Sequence, residues 1–171
     1  IASLDGSGSY ERCEALFAAA DQLGIPRDCF VHKTGRNYYM EYWHNLTSAR
    51  EIGEYFAANR KKFTAVISTS DYVTYGIMSY LREQGLEPGR DYAIGSYDNF
   101  EGQGVMVYGT KPVLTSISHP LEKMAREAAR LAVSEGLQNS GVTHNIRVPA
   151  DELTIRSSTK LKHIKTGDRK K

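Results

Sequence analysis

The sequence predicts an α/β protein built on a doubly wound parallel sheet, and three observations carry that prediction. Short apolar segments alternate with stretches of helical periodicity, the pattern of parallel βαβ units. Two of the strand-like segments, Ala65-Val66-Ile67-Ser68-Thr69-Ser70-Asp71 and Tyr92-Ala93-Ile94-Gly95-Ser96-Tyr97-Asp98-Asn99, run into an acidic residue. Ligands of open α/β sheets bind at the carboxyl ends of the strands, so two such ends point to one shared crevice. Finally, 171 residues with 40% hydrophobic and 25% charged content suit one globular unit with a sizeable core.

The elements follow in order. Residues 1–5 read as a strand. Cys13, Leu16, Phe17, Ala20 and Leu23 then recur at helical spacing, with Ser9 as N-cap and Gly24 as stop. Pro26 leads to a short strand at 29–31, while the polar, aromatic segment 33–45 has no clear period and reads as a loop. Ile52, Tyr55, Phe56 and Asn59 share a helix face, with Ser48 and Glu51 as a capping box near its start. Asp71 is placed to N-cap the next helix, whose buried stripe is Val73, Ile77 and Leu81 and whose end is Gly85. Beyond Asp98 a glycine-rich stretch (Gly102, Gly104, Gly109) leads to Pro112. A strand at 113–117 precedes a helix with Pro120 near its first position, lined by Leu121, Met124, Ala128 and Leu131 and closed by Gly136. Short strands at 146–148 and 153–155 finish the folded part, and there is no internal repeat.

The formal charge of +2 is unevenly spread. Residues 160–171 hold six basic residues and one acid, a charge of +5, which leaves −3 on the other 159 residues. A mildly acidic body has no electrostatic footprint for nucleic acid. The tail fits either a solvated end or a binding arm. No apolar run approaches the roughly 18–20 residues of a membrane span, so no membrane partner is expected. Cys13 and Cys29 lack metal or redox spacing and read as reduced, buried thiols of a cytosolic protein. A strand at residue 1 with no Met before it suggests a fragment of a longer protein.

Catalytic signatures are missing: no nucleophile elbow, no Walker loop, no metal-binding His or Cys pair. The five histidines (His32, His44, His119, His144, His163) are scattered and read as surface or core residues. Gly6-Ser7-Gly8-Ser9 lacks the third glycine of a phosphate-binding turn and reads as a connecting loop. We therefore expect no catalysed reaction, cofactor or metal.

Three strings, Ser70-Asp71-Tyr72-Val73-Thr74-Tyr75-Gly76, Gly85-Leu86-Glu87-Pro88-Gly89-Arg90-Asp91 and Ile94-Gly95-Ser96-Tyr97-Asp98-Asn99, together resemble the effector-sensing domain of lactose-repressor (LacI/GalR) type regulators. Leu114-Thr115-Ser116-Ile117, then Met124, Ala128 and Leu131, is similar to the same family's next segment, and Arg12 with Ala15 and Leu16 to an earlier one. The resemblance covers about residues 1–159. It implies a periplasmic-binding-protein-like fold of two α/β subdomains with ligand between them. Residues 1–110 and 146–159 would form most of the second subdomain, residues 113–138 the crossover to the first, and 160–171 a basic tail. The DNA-binding headpiece would lie outside this chain.

The resemblance also implies a site. Asp98 would accept hydrogen bonds from ligand hydroxyls and Arg12 would hold ligand oxygens, a surface pair with Glu11 or Asp5 being the other reading of Arg12. Trp43, or Tyr42 one residue earlier, would stack on the ligand ring, and Ser70 would add a polar contact. Asp71 has both a helix-capping and a ligand reading. Two departures stand out: Thr74 replaces the family's usual Ala, and the segment 99–114 is longer than the pattern expects. That segment and the helix bearing Tyr72, Tyr75 and Tyr80 would carry a homodimer interface, partial burial in the core being the other reading of the three tyrosines. The implied function is a cytoplasmic sensor of a small effector, a carbohydrate by preference, that controls DNA binding by an attached domain. A secreted sugar-binding protein of a transporter and the sensor module of a signalling enzyme are the alternatives.

Overall fold

The computed structural model describes residues 2–5, 10–29, 31–34, 42–68, 70–104, 108–134 and 145–161. Six strands form one sheet: β1 (Ala2–Asp5), β2 (Val31–Thr34), β3 (Ala65–Ile67), β4 (Ala93–Asp98), β5 (Thr115–Ser118) and β6 (Leu153–Thr154). Their order is β2-β1-β3-β4-β5-β6. The first five pair in parallel and β6 runs antiparallel to β5. The helices are α1 (Tyr10–Gln22), α2 (Tyr42–Ala58), α3 (Asp71–Glu83) and α4 (Leu121–Ser134). The order reverses direction between β1 and β3. Right-handed crossovers then put α1 on one face and α2 and α3 on the other, which makes the sheet doubly wound as predicted.

The core lies between the sheet and the α2–α3 pair. Ile52 and Phe56 of α2 and Ile77, Met78 and Leu81 of α3 pack over Val66, Ile94, Phe63, Tyr92 and Leu114, all of them buried. Each such side chain contributes about 1.5–3 kcal/mol of transfer free energy. Two of the three predicted glycine stops follow helix ends. Gly24 and Gly85 take φ of 66° and 75°, and Ile25 and Leu86 donate back to the carbonyls of Ala20 and Leu81 at 2.9 Å each, a Schellman pattern.

Several local expectations give way. Helix α2 begins at Tyr42, so Ser48 sits inside it and caps nothing, and residues 42–45 are its first turn, not loop. Strand β2 starts at Val31, while Cys29 closes a 3-10 turn and is exposed, not buried. Residues 145–152 form no strand, so of the two short strands expected at the end only β6 forms, antiparallel to β5. Ser9 and Gly136 lie outside the described residues. Helix α1 buries only Ala20 among its described side chains; Leu23 is exposed.

The long segment after Asn99 is tied down by one carboxylate. Glu101 is buried, and it accepts from the N–H groups of Tyr108 (3.2 Å), Val113 and Leu114 (2.7 Å each). Thr74, the unexpected residue of α3, is also buried. Its hydroxyl donates to the Ser70 carbonyl and pairs with Ser96 Oγ at 2.7 Å, linking α3 to β4. A hydroxyl there is satisfied on both sides, so its burial carries no desolvation penalty of the kind an unpaired one would.

Helix α4 differs from the others. It is amphipathic but buries no residue: Leu121 and Met124 are 56% and 47% exposed. Its polar side carries the pairs Glu122–Arg126, Glu127–Arg130 and Lys123–Asp151, all well exposed and so worth little. Met124, Ala128 and Leu131 line an apolar groove against Ile146 and Val148.

Candidate functional site

Three chain segments meet at the carboxyl edge of the sheet. Helix α1 leaves β1 and carries Arg12 in its first turn. Strand β4 ends on Asp98. Strand β5 ends at Ser118 and hands on to His119 and Pro120 before α4. His119 Nε2 lies 2.8 Å from Asp98 Oδ1 and 3.3 Å from Arg12 Nη2. The Arg12 guanidinium also lies over the Tyr97 ring, 4.9 Å from its centroid. Asp98 and His119 keep 15% and 35% of their side-chain surface accessible, so the cluster is open to a solute.

A single nitrogen serves two partners here. Nε2 of His119 either donates to Asp98 or accepts from Arg12, depending on the tautomer, and cannot do both. One of the two contacts is therefore imperfect.

The backbone at this edge is strained. Asp98 and Asn99 take φ of 104° and 54°, values uncommon outside glycine and held only where neighbours enforce them. The enforcing contacts are present. The Asn99 N–H donates to Ser116 Oγ (3.0 Å), its Nδ2 donates to Ser118 Oγ (2.7 Å), and its Oδ1 accepts from Arg156 Nη2 (2.8 Å). Arg156 also donates to the Leu114 carbonyl at 2.6 Å.

The two acidic strand ends exchange part of their expected roles. Ser70, not Asp71, is the N-cap residue of α3, by backbone conformation and without a side-chain cap bond. Asp71 is the first helical residue, and its N–H donates to Asp98 Oδ2 at 3.2 Å. The helix-end donor is thus met by Asp98. The buried Asp71 carboxylate instead accepts from the Phe100 N–H (2.8 Å) and the Ser116 hydroxyl (2.9 Å), fixing the turn that follows Asp98. Burial pushes the Asp71 carboxyl above the usual range, against the hydrogen bonds from Ser96, Phe100 and Ser116.

Arg12 and Asp98 are brought together through His119, and Ser70 stands beside them at the start of α3. Trp43 is the second residue of α2, and its side chain, like that of Tyr42, lies outside the described residues. Sequence reasoning missed His119 and Tyr97. The available signal was position: His119 directly follows a strand and precedes a proline at a helix start, a strand-end site equivalent to that of Asp98. Among the described residues no group of three or more His, Cys, Asp or Glu is placed to hold a metal, and no helix is long and apolar enough to cross a membrane.

Residues 3–159 match the periplasmic binding protein-like domain family. The chain belongs to that family. This periplasmic binding protein-like domain is 33% identical to the HTH-type transcriptional repressor CytR of Escherichia coli (strain K12) over 97 residues, 57% of this chain and 27% of the repressor. It shares its fold with a LacI-family transcriptional regulator from Enterococcus faecium solved with bound ribose. The TM-score is 0.73 at 21% identity, over 94% of this chain and 56% of that one. The transcription regulator CcpA of Lactococcus lactis is similar with a TM-score of 0.68 at 21% identity, over 93% and 55% of the two chains. The domain thus spans about a quarter of the curated relative and about half of these solved chains.

Proposed function

We propose that this domain is the effector-binding portion of a cytoplasmic, LacI/GalR-type transcriptional regulator, and that its ligand is a small polyhydroxylated metabolite, a sugar by preference. The carrying observation is the convergence of Arg12, Asp98 and His119 at the carboxyl edge of the sheet. A carboxylate only accepts and a guanidinium only donates, so a ligand hydroxyl satisfies both at once. Binding displaces the strained compromise at His119 and leaves Asp98 still capping α3. Ser70 borders the same edge, and Trp43 supplies an aromatic face for the ligand ring. The ribose-bound regulator with the same fold and the similarity to a transcriptional repressor support this reading.

The uncovered apolar stripe of α4 supports the division into subdomains. Residues 113–138 cross to a first subdomain, against which Leu121, Met124 and Leu131 pack. Ligand between the subdomains favours one arrangement of the two and shifts its population, and DNA affinity of an attached domain changes with it. The α3 face with Tyr72, which meets Phe100 edge-on at 4.8 Å, serves a homodimer contact. No reaction is catalysed. A thermal-shift screen of pentoses, hexoses and nucleosides against the full-length gene product tests the reading, because a ligand that binds only the folded state raises the melting temperature. A rise with a sugar that disappears in Asp98→Ala supports it; a rise that persists in that variant refutes the site.

A further inference from the structure

Asp98 reaches its partners from an unfavourable backbone. Its φ of 104° is followed by the 54° of Asn99, and neither residue is glycine. From that backbone the carboxylate meets the Asp71 N–H with Oδ2 at 3.2 Å and His119 with Oδ1 at 2.8 Å. A relaxed turn would carry it elsewhere, so whatever enforces the turn decides where the carboxylate sits. Arg156 is one of those constraints. Its guanidinium is a planar fork, with Nη2 donating to Asn99 Oδ1 at 2.8 Å and Nη1 to the Leu114 carbonyl at 2.6 Å. The side chain is 14% exposed, and its Nη1 lies 4.0 Å from the Glu101 carboxylate. The returning segment has other means of docking. Ser158 Oγ accepts from the Thr115 N–H at 2.8 Å and donates to the Ile94 carbonyl at 2.7 Å, and the Ser158 N–H donates to the Val113 carbonyl at 2.9 Å. Gly102 faces the same amide that Arg156 holds, and a Cβ there would collide with the Asn99 side chain.

We propose that Arg156 is a positioning residue of the ligand site: through Asn99 it fixes the turn from which Asp98 presents its carboxylate. The proposal rests on the reading of Asp98 as the ligand acceptor. Arg156 pins the Asn99 amide, the pinned amide keeps Asn99 left-handed, and the peptide between residues 98 and 99 then sets the carboxylate. With glycine at position 99 the left-handed conformation costs little and there is no amide to pin. Arg156 then has no further hold on Asp98. A Cβ at position 102 displaces the amide and acts like the loss of Arg156.

The backbone amide resonance of Asp71, followed by NMR in the 171-residue chain, reports where the Asp98 carboxylate is, with Asp98→Ala as the reference for its loss. Arg156→Met is expected to move that resonance most of the way to its Asp98→Ala position, and Gly102→Ala to move it in the same direction. In Asn99→Gly the added Arg156→Met is expected to move it no further, while the melting temperature falls in both backgrounds through the lost Leu114 contact. That split separates positioning from support of the fold. An Asp71 resonance indifferent to Arg156→Met overturns the proposal, as does an equal displacement with and without Asn99→Gly. If Arg156→Met does not fold, Gly102→Ala decides in its place, and an unmoved Asp71 resonance there overturns the proposal. Calorimetric titration with D-ribose of the full-length gene product, where the proposed cleft has both walls, reads the consequence for binding. Affinity is expected to fall about tenfold in Arg156→Met and to change by less than about twofold when the same substitution is added to Asn99→Gly. Wild-type affinity in Arg156→Met overturns the proposal. If the wild type does not bind D-ribose, the ligand reading fails for this sugar, and the Asp71 resonance alone decides the role of Arg156.

Discussion

Asp71 is a buried carboxylate that holds structure. Its two oxygens accept from the Phe100 N–H and the Ser116 hydroxyl, and removing them orphans a backbone donor. Asp71→Ala is expected to cost about 2–4 kcal/mol in urea denaturation. The pH dependence has a definite sign. Because burial raises its carboxyl in the folded state, the stability due to Asp71 is fully present below the unfolded carboxylate's pKa and is lost as pH rises through the folded one. Asp71→Asn removes that loss, so its stability relative to wild type should grow as pH rises from about 3 to about 6. A difference that stays flat across that range would contradict the assignment. Tyr92 gives the opposite case. It is fully buried and its hydroxyl has no partner, so Tyr92→Phe is expected to be neutral or stabilising by up to about 1 kcal/mol in the same assay.

The residue scale also marks how far a sequence reading reaches. The placement of Asp98 at a strand end was legible because it closes an apolar run, and that of Arg12 in a first helical turn because the helical spacing begins beside it. The exchange between Asp71 and Asp98 was not legible. A cap is recognised in sequence by adjacency, whereas here the α3 N–H of Asp71 is met by a carboxylate 27 positions away. His119 was missed for the same reason, since its partners Arg12 and Asp98 are joined to it only through the sheet order. Thr74 and the long segment after Asn99 looked like departures, and both are explained by long-range partners: Ser96 for Thr74, and for the segment the Glu101 carboxylate that binds the backbone of Tyr108, Val113 and Leu114.

Among the elements, helices α2 and α3 and the central strands were predictable from their apolar stripes, because those stripes are buried within this chain. Boundaries failed where a stripe was weak, as in the polar first turns of α2. The turn before β4 supplies a sharp element-level test. Gly89 has φ of 76°, and a Cβ there would collide with the Ser157 carbonyl of the returning segment. Backbone strain and clash add, so Gly89→Ala is expected to cost more than about 2 kcal/mol, read as a lowered urea midpoint. Helix α4 predicts a contrast between two proteins. Met124→Ser should change the stability of this chain by less than about 0.5 kcal/mol, since the residue is half exposed. In the full-length gene product, with the stripe covered, the same change should cost about 2 kcal/mol or more. Equal effects in both would contradict the assignment of α4 to a first subdomain.

At the scale of the molecule, the carboxyl edge of the sheet gathers Arg12 from the first turn of α1, Asp98 from the end of β4 and His119 from just beyond β5. The returning segment at residues 153–159 is locked to that edge by Arg156, which reaches Asn99 and Leu114. In the proposed function this chain supplies one wall of the cleft, tight binding requires the other, and ligand-driven closure acts on the attached DNA-binding domain.

The central claim is that Asp98 takes the ligand's hydroxyls. Calorimetric titration of the full-length gene product with the sugar that raises its melting temperature, in wild type and in Asp98→Ala, tests it most directly. Loss of a charge-assisted pair of bonds predicts at least a ~100-fold weaker Kd for Asp98→Ala, about 2.7 kcal/mol or more. The lost cap of α3 is predicted to appear separately, as a ligand-free stability drop of about 1 kcal/mol. An Asp98→Ala protein that binds the sugar as tightly as wild type would contradict the account.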